Sequence, residues 1–217
     1  MTDYKARRTM MVDTQVRPSD VTKFPIIDAM LSVPREAYVP DALREAAYVG
    51  ENLTVGPNRV ILEPRTLAKM LDALSIAPEH VALDIGCGLG YSTAVLAKMC
   101  EFVVGVEDDA EWATRAQNLL SEQGIDNAAV LNGALTEGAA KSAPYDIITI
   151  QGAVVMVPDT ILAQLREGGR IACVFAEGAL GVVRIGHKID GVVNWRYAFN
   201  AGAPVLAGFD KEAAFTL

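Results

Sequence analysis

The segment from residue 80 to residue 175 most constrains what this chain can fold into. Apolar runs bounded by turn signals alternate there with helical periods. The pattern predicts strands over 80–85, 102–106, 128–131, 145–150 and 170–175. Helices are expected over 92–99, 110–123 and 158–165, with Gly124 as a left-handed cap on the second. Strands with little polar alternation, separated by helices, form a parallel sheet covered on both faces. Near the end, Asp190-Gly191 between two apolar runs is a two-residue hairpin signal. The expected fold is therefore α/β, with a doubly wound, mostly parallel sheet ending in antiparallel strands.

The first third reads differently. Helices are expected over 4–16, from Pro25, over 41–47 and from Pro64, with a proline-bounded loop over 33–40. Residues 48–62 show no clear period. We expect residues 1–79 to form a helical, lid-bearing region packed on a core of residues 80–217, within one compact domain. At 217 residues the chain is long enough for a full core. Met10, Met11, Met30, Met70 and Met99 read as core filler, and Trp112 and Trp195 as packing residues.

Charge narrows the partners. A formal net charge of −8 argues against nucleic acid and anionic membranes. The N-terminal residues lack the apolar stretch of a secretory signal, and no run reaches the ~20 residues of a membrane helix. Cys87, Cys100 and Cys173 fit reduced thiols in a cytoplasmic protein. His80 and His187 are far apart, and no Cys/His spacing suggests a metal.

The most informative residues are Asp84-Ile-Gly86-Cys87-Gly88-Leu89-Gly90-Tyr91, where a strand runs through a glycine turn into a helix. Ligands of open parallel sheets bind at such strand ends. The spacing is Gly-x-Gly-x-Gly, not the dinucleotide Gly-x-Gly-x-x-Gly. Asp84 would repel a pyrophosphate and attract a cation. S-adenosyl-L-methionine, with an ammonium and a sulfonium, suits that charge. Glu107 ends the next strand, followed by Asp108 and Asp109, and a carboxylate there can accept both ribose hydroxyls. Gly133 and Ala134 follow the third strand, on the base side. Gln151 ends the fourth, facing the reactive end. Two other readings stand beside this one: a nicotinamide or flavin protein, and a generic strand–helix turn with surface acids. For Gln151 the alternative is a strand-end side chain bonded to backbone. For Cys87, space filling outweighs a nucleophilic role.

The glycine turn with Glu107 resembles the class I methyltransferase fold. Met11-Val-Asp-Thr-Gln15-Val-Arg17, Val33-Pro34-Arg35-Glu36-Ala-Tyr38-Val39-Pro40, Ala143-Pro-Tyr145-Asp146 and Gly168-Gly169-Arg170 resemble the protein-L-isoaspartate O-methyltransferase family. The resemblance spans about residues 10–176. It implies carboxyl methylation of L-isoaspartyl residues in damaged proteins, with S-adenosyl-L-methionine as methyl donor. The family's substrate loop, Gly-Gln-Thr-Ile-Ser-Gln-Pro, matches Asn58-Arg59-Val60-Ile61-Leu62-Glu63-Pro64 here, followed by Arg65. Both hydroxyls are gone, at Val60 and Leu62, and Glu63 adds a negative charge. The family's Gly-Asp-Gly on the adenine side is Gly133-Ala134-Leu135, and the acid expected after Tyr48 is Gly50.

The resemblance assigns the cofactor to Asp84, Gly86, Cys87, Gly88, Gly90, Tyr91, Glu107, Asp108, Gly133, Ala134 and Gln151. Acceptor candidates are Val60, Leu62, Glu63, Arg65 and Gln151. Two lost hydrogen bonds to a charged group predict isoaspartyl methylation slowed roughly 10²–10⁴-fold or lost. Two other readings are a methyltransferase acting on a different, small-molecule acceptor and a non-catalytic cofactor-binding homologue.

Overall fold

The computed structural model describes residues 3–210. Pro25 stands at the start of α2 (Phe24–Ser32), where its missing N–H costs nothing. Before it lies α1 (Tyr4–Met11), which continues into a π-helical turn over Val12–Val16. The expected helix over 4–16 is therefore helical throughout but changes its winding halfway. Met10, expected in the core, is 63% exposed. The residues over 35–38 and 41–46 form 3₁₀ turns.

Residues 53–61, where no period was read, form a two-stranded antiparallel ribbon of β1 (Leu53–Gly56) and β2 (Arg59–Ile61). Strands this short carry too few residues to show alternation. Asn58, with φ of +52°, makes the turn between them. Pro64 then opens α3 (Pro64–Leu74), whose Leu67, Met70, Leu71 and Leu74 are buried on one face.

The main sheet contains β3 (Val81–Ile85), β4 (Phe102–Glu107), β5 (Ala128–Asn132), β6 (Tyr145–Val154), β7 (Leu165–Phe175), β8 (Val182–Ile189) and β9 (Val192–Asn200). Its strand order is β5-β4-β3-β6-β7-β8-β9. The β3–β4, β4–β5, β3–β6 and β6–β7 pairs are parallel, and β7–β8 and β8–β9 antiparallel. Asp190 and Gly191 both take positive φ between β8 and β9, as the hairpin signal predicts. The chain order reverses between β3 and β6, so these two strands flank the topological switch point and β4 ends one strand away.

Alternation within the strands divides the core in two. Ala82, Val103, Ile147 and Ala172 face one layer, which includes residues of α2, α3, α4 (Tyr91–Ala97) and α5 (Ala110–Glu122). Leu83, Val104, Ile148 and Ile171 face the other. That second layer is covered by 3₁₀ turns around Leu135 and Ala139, by α6 (Asp159–Leu162) and by Leu206 and Phe209. The helix expected over 158–165 is reduced to α6 because β7 already begins at Leu165. The first layer runs without interruption from Met11 and Leu62 to Ala172 and Phe199. The N-terminal region thus shares its apolar contacts with the sheet.

Candidate active site

The turn after β3 is held by its own chemistry. Gly86, Gly88 and Gly90 have φ of +72°, +59° and +94°, a region that L side chains rarely adopt. The amide of Gly86 donates to the carbonyl of Val106 at 2.8 Å, tying the turn to the end of β4. Asp84 and Thr149 are register partners across the parallel β3–β6 pair, and Gln151 follows two residues along β6 on the same face.

That register fixes the surroundings of Asp84. Its Oδ1 accepts from Thr149 Oγ1 at 2.8 Å and Gln151 Nε2 at 2.7 Å. Its Oδ2 accepts from Ser92 Oγ at 2.6 Å and Thr93 Oγ1 at 2.7 Å, both in the first turn of α4. A carboxylate has about four lone-pair sites, and all are taken. Burial pushes the Asp84 carboxyl above its usual range, while these four hydrogen bonds oppose the shift. Asp84, expected to meet the cofactor's cation, instead joins β3, α4 and β6 from inside. Gln151 is bonded to this hub and also borders the cleft.

Glu107 stands one strand over, at the end of β4, and is equally buried. Its partners are of another kind. Oε2 accepts from the amide of Gly88 at 2.7 Å, and Oε1 from the amide of Asp109 at 3.3 Å. The remaining partner is Arg59 of β2, whose Nη2 pairs with Glu107 and whose Nη1 reaches Asp108 Oδ1 at 2.7 Å. Burial pushes the Glu107 carboxyl up to about 7, although the Arg59 guanidinium opposes it. Asp109 caps α5, accepting from the amide of Trp112 at 2.9 Å. The Trp112 ring then lies beside the Arg59 guanidinium, 5.7 Å from its centroid.

Two adjoining hollows result. The wider, about 350 Å³, is bordered by Gly56, Arg59, Glu107, Asp108 and Trp112. The narrower, about 20 Å³, lies between the 59–62 loop and the glycine turn, with Gly86, Cys87, Gly88, Tyr91 and Gln151 on its wall. Arg59 and Trp112 border both. Residues 59–62 of the expected lid therefore lie over the turn, and residues 63–65 do not. Beneath the turn, Leu206 comes back across the sheet. Its amide donates to the Ala153 carbonyl at 3.0 Å, and a Cβ on Gly152 would lie 2.6 Å from its Cγ. Gly152 is where the sheet admits that leucine.

The candidates of the sequence divide accordingly. Val60, Leu62, Gly86, Cys87, Gly88, Tyr91, Gln151, Glu107 and Asp108 border the hollows. Glu63, Arg65, Gly90, Gly133 and Ala134 border neither. Gly133 is bonded through its amide to the Glu107 carbonyl at 3.0 Å, so it stays at the end of β4. Cys87 is buried and its thiol is raised well above the usual range, first by burial, which fits packing better than reactivity.

The loop also differs from expectation. Leu62 is 2% exposed and packs in the main apolar layer. The Glu63 carboxylate accepts from Thr66 Oγ1 at 2.6 Å and lies 3.7 Å from Arg65, which weakens the expected repulsion of an acidic acceptor. Sequence reasoning placed Arg59 in the lid, as a residue able to pair with the acceptor carboxylate, but not on Glu107, and it missed Trp112 as a cleft residue.

A parallel sheet with a glycine turn after its first strand, an acid ending the second and an antiparallel hairpin at the far edge defines the class I methyltransferase fold. Comparison with known proteins places the chain within that class. The profile described as protein-L-isoaspartate(D-aspartate) O-methyltransferase (PCMT) matches residues 7–197. A protein-L-isoaspartate O-methyltransferase of Koribacter versatilis is 34% identical over 79% of this chain and 77% of its own. That of Methylorubrum extorquens is 36% identical over 78% and 74%. A solved protein-L-isoaspartate O-methyltransferase shares the fold with a TM-score of 0.80 at 22% identity, covering 95% of this chain and 67% of that one. So does a PCMT of Plasmodium falciparum solved with S-adenosyl-L-homocysteine, with a TM-score of 0.79 at 20% identity over 95% and 99%. The chain belongs to the protein-L-isoaspartate O-methyltransferase family and is a methyltransferase.

Proposed function

We propose that the chain methylates the α-carboxylate of L-isoaspartyl residues in proteins, with S-adenosyl-L-methionine as donor. The observation that carries this reading is Glu107. It is a buried carboxylate at the end of β4, bonded to the amide of Gly88 and met from the lid by Arg59. The residues present fit the cofactor. Glu107 is the acceptor a ribose diol needs. Gly88, with φ of +59°, takes a backbone conformation that L side chains rarely adopt and turns its amide onto Glu107. The wider hollow falls within the ~300–1,000 Å³ typical of small-molecule sites.

In this reading Glu107 holds the ribose, with Asp108 beside it. Gly86 to Gly90 give the methionine end close access to backbone, and Asp84 keeps that turn in shape through its four donors. Gly133 and Ala134, at the end of β5, are the candidates for the base. When bound, the cofactor would supply a methyl on sulfonium to the acceptor oxygen, the C–S electron pair staying on sulfur. The acceptor carboxylate is already ionised and needs no general base. Catalysis therefore rests on in-line placement under the lid, by Val60, Leu62 and the turn. Relatives named for isoaspartate act on protein, and among the described residues no helix is long and apolar enough to cross a membrane. The names support a protein acceptor, and the three free cysteines, Cys87, Cys100 and Cys173, fit action in the cytoplasm.

The test is label transfer from methyl-labelled donor to a synthetic isoaspartyl peptide and to its aspartyl isomer. The reading expects base-labile label in the isoaspartyl peptide alone. Label only in small molecules of a cell extract would overturn it.

A further inference from the structure

We infer that Arg59 is the specificity-determining residue for the acceptor: its guanidinium exchanges the Glu107 carboxylate for the acceptor's carboxylate when the cofactor binds. The inference rests on the acceptor reading above and deepens it.

The geometry points to an exchange. Arg59 occupies the carboxylate that the cofactor's ribose would need, yet it is held by a fork. Nη1 is bonded to Asp108 at 2.7 Å, while Nη2 pairs with Glu107. When ribose hydroxyls take Glu107, Asp108 still anchors one nitrogen and the other is free. No large movement of β2 is required. The side chain borders both hollows, so the freed nitrogen lies between the nucleoside side and the narrow space above the glycine turn.

Two further observations assign the freed nitrogen to the acceptor. The first is the lack of a side-chain donor at the two loop positions where the family carries hydroxyls. Val60 and Leu62 carry none, and Thr66 already donates to Glu63. Ser92 and Thr93, near the turn, donate to Asp84. The second is charge. Glu107, Asp108 and Asp109 stand together on this edge, so an arriving carboxylate needs a cation. Arg65 sits 3.7 Å from Glu63, with its guanidinium 5.7 Å from the Phe199 ring centroid, and borders neither hollow. A guanidinium can hold Asp108 with one nitrogen and offer the other as a charged donor to the acceptor, as its fork of N–H groups allows. The residue at 59 thus supplies the charge that compensates for the missing loop hydroxyls.

The experiment measures binding of two peptides by calorimetry, with and without S-adenosyl-L-homocysteine. One peptide carries the isoaspartyl α-carboxylate, and the other has it as a primary amide. Wild-type protein with S-adenosyl-L-homocysteine is expected to prefer the acid at least tenfold, and to lose that preference without it. Arg59→Gln is expected to bind S-adenosyl-L-homocysteine but to bind acid and amide equally. Arg59→Lys, which cannot hold Asp108 and the acceptor together, is expected to fall between them. An Arg59→Gln protein that prefers the acid as strongly as wild type overturns the assignment of Arg59 and leaves the acceptor reading standing. A wild type that binds neither peptide overturns both. A wild-type preference that is the same without S-adenosyl-L-homocysteine overturns the exchange.

Discussion

Two carboxylates end adjacent strands of the same sheet, and both are shut off from solvent. Asp84 is surrounded by hydroxyls and an amide from β6 and α4, elements of the core itself. Glu107 is held by backbone amides and by an arginine from the lid. The difference lies in what can replace the partners. The donors of Asp84 are fixed in packed elements, so that carboxylate supports the turn. The arginine on Glu107 stands on a two-stranded ribbon beside a hollow, so a ligand can take its place. Burial alone does not distinguish a structural acid from a ligand-binding one; the origin of its donors does.

Replacing each acid separates them most sharply. Asp84→Ala leaves four buried donors without an acceptor, and a stability loss of about 3–5 kcal/mol is expected in denaturant melts. Glu107→Ala is expected to lose less than half as much, because Arg59 keeps Asp108. Its effect falls instead on S-adenosyl-L-homocysteine, whose binding should weaken by about 1.5–3 kcal/mol in calorimetry. Equal stability losses for the two variants would erase the distinction.

Leu62 tests whether the lid is separate from the core. It belongs to the loop but packs in the main apolar layer. Leu62→Ser, which restores the family's hydroxyl, is expected to cost about 2–4 kcal/mol of stability. Val60→Thr, at a half-buried position, should cost less than 1 kcal/mol. If Leu62→Ser melts like wild type, the loop is a detachable flap rather than part of the packed interior.

Glu107 also gives the comparison a pH dependence. Its carboxyl is raised from 4.5 to about 7, so the folded protein binds this proton more tightly than the unfolded chain. The contribution to stability is complete below pH 4.5 and is lost as pH rises through 7. Glu107→Gln carries no such charge. Its melting temperature relative to wild type is therefore expected to rise between pH 4.5 and 7.5, by the equivalent of roughly 2 kcal/mol. A flat difference would mean that Arg59 keeps Glu107 ionised throughout.

The sheet was legible in the sequence because β3, β4, β5 and β6 are nearly continuous apolar runs closed by glycines and acids. The glycine turn and Glu107 were legible for the same reason: a strand end fixes where the next side chains go. The charge of Asp84 was visible in the sequence and its donors were not. Ser92 and Thr93 are near it in sequence, but Thr149 and Gln151 reach it only through the register of β6. The β1–β2 ribbon was too short for periodicity, so Arg59 had no element to stand on and its reach to Glu107 had no sequence signal. Trp112 was taken for packing because nothing local tells an indole in a helix's first turn whether a cleft lies beside it.

Leu206 carries a consequence for the timing of assembly. The glycine turn rests against this side chain, since a Cβ on Gly86 would lie 3.1 Å from Leu206 Cδ1. The leucine comes 120 residues after the turn it supports. During synthesis the strands that define the nucleotide edge emerge first, and their underside stays open until residues 204–209 leave the ribosome and dock along β6. A nascent chain stopped before that point has every residue of the proposed cofactor cradle but not the floor beneath it.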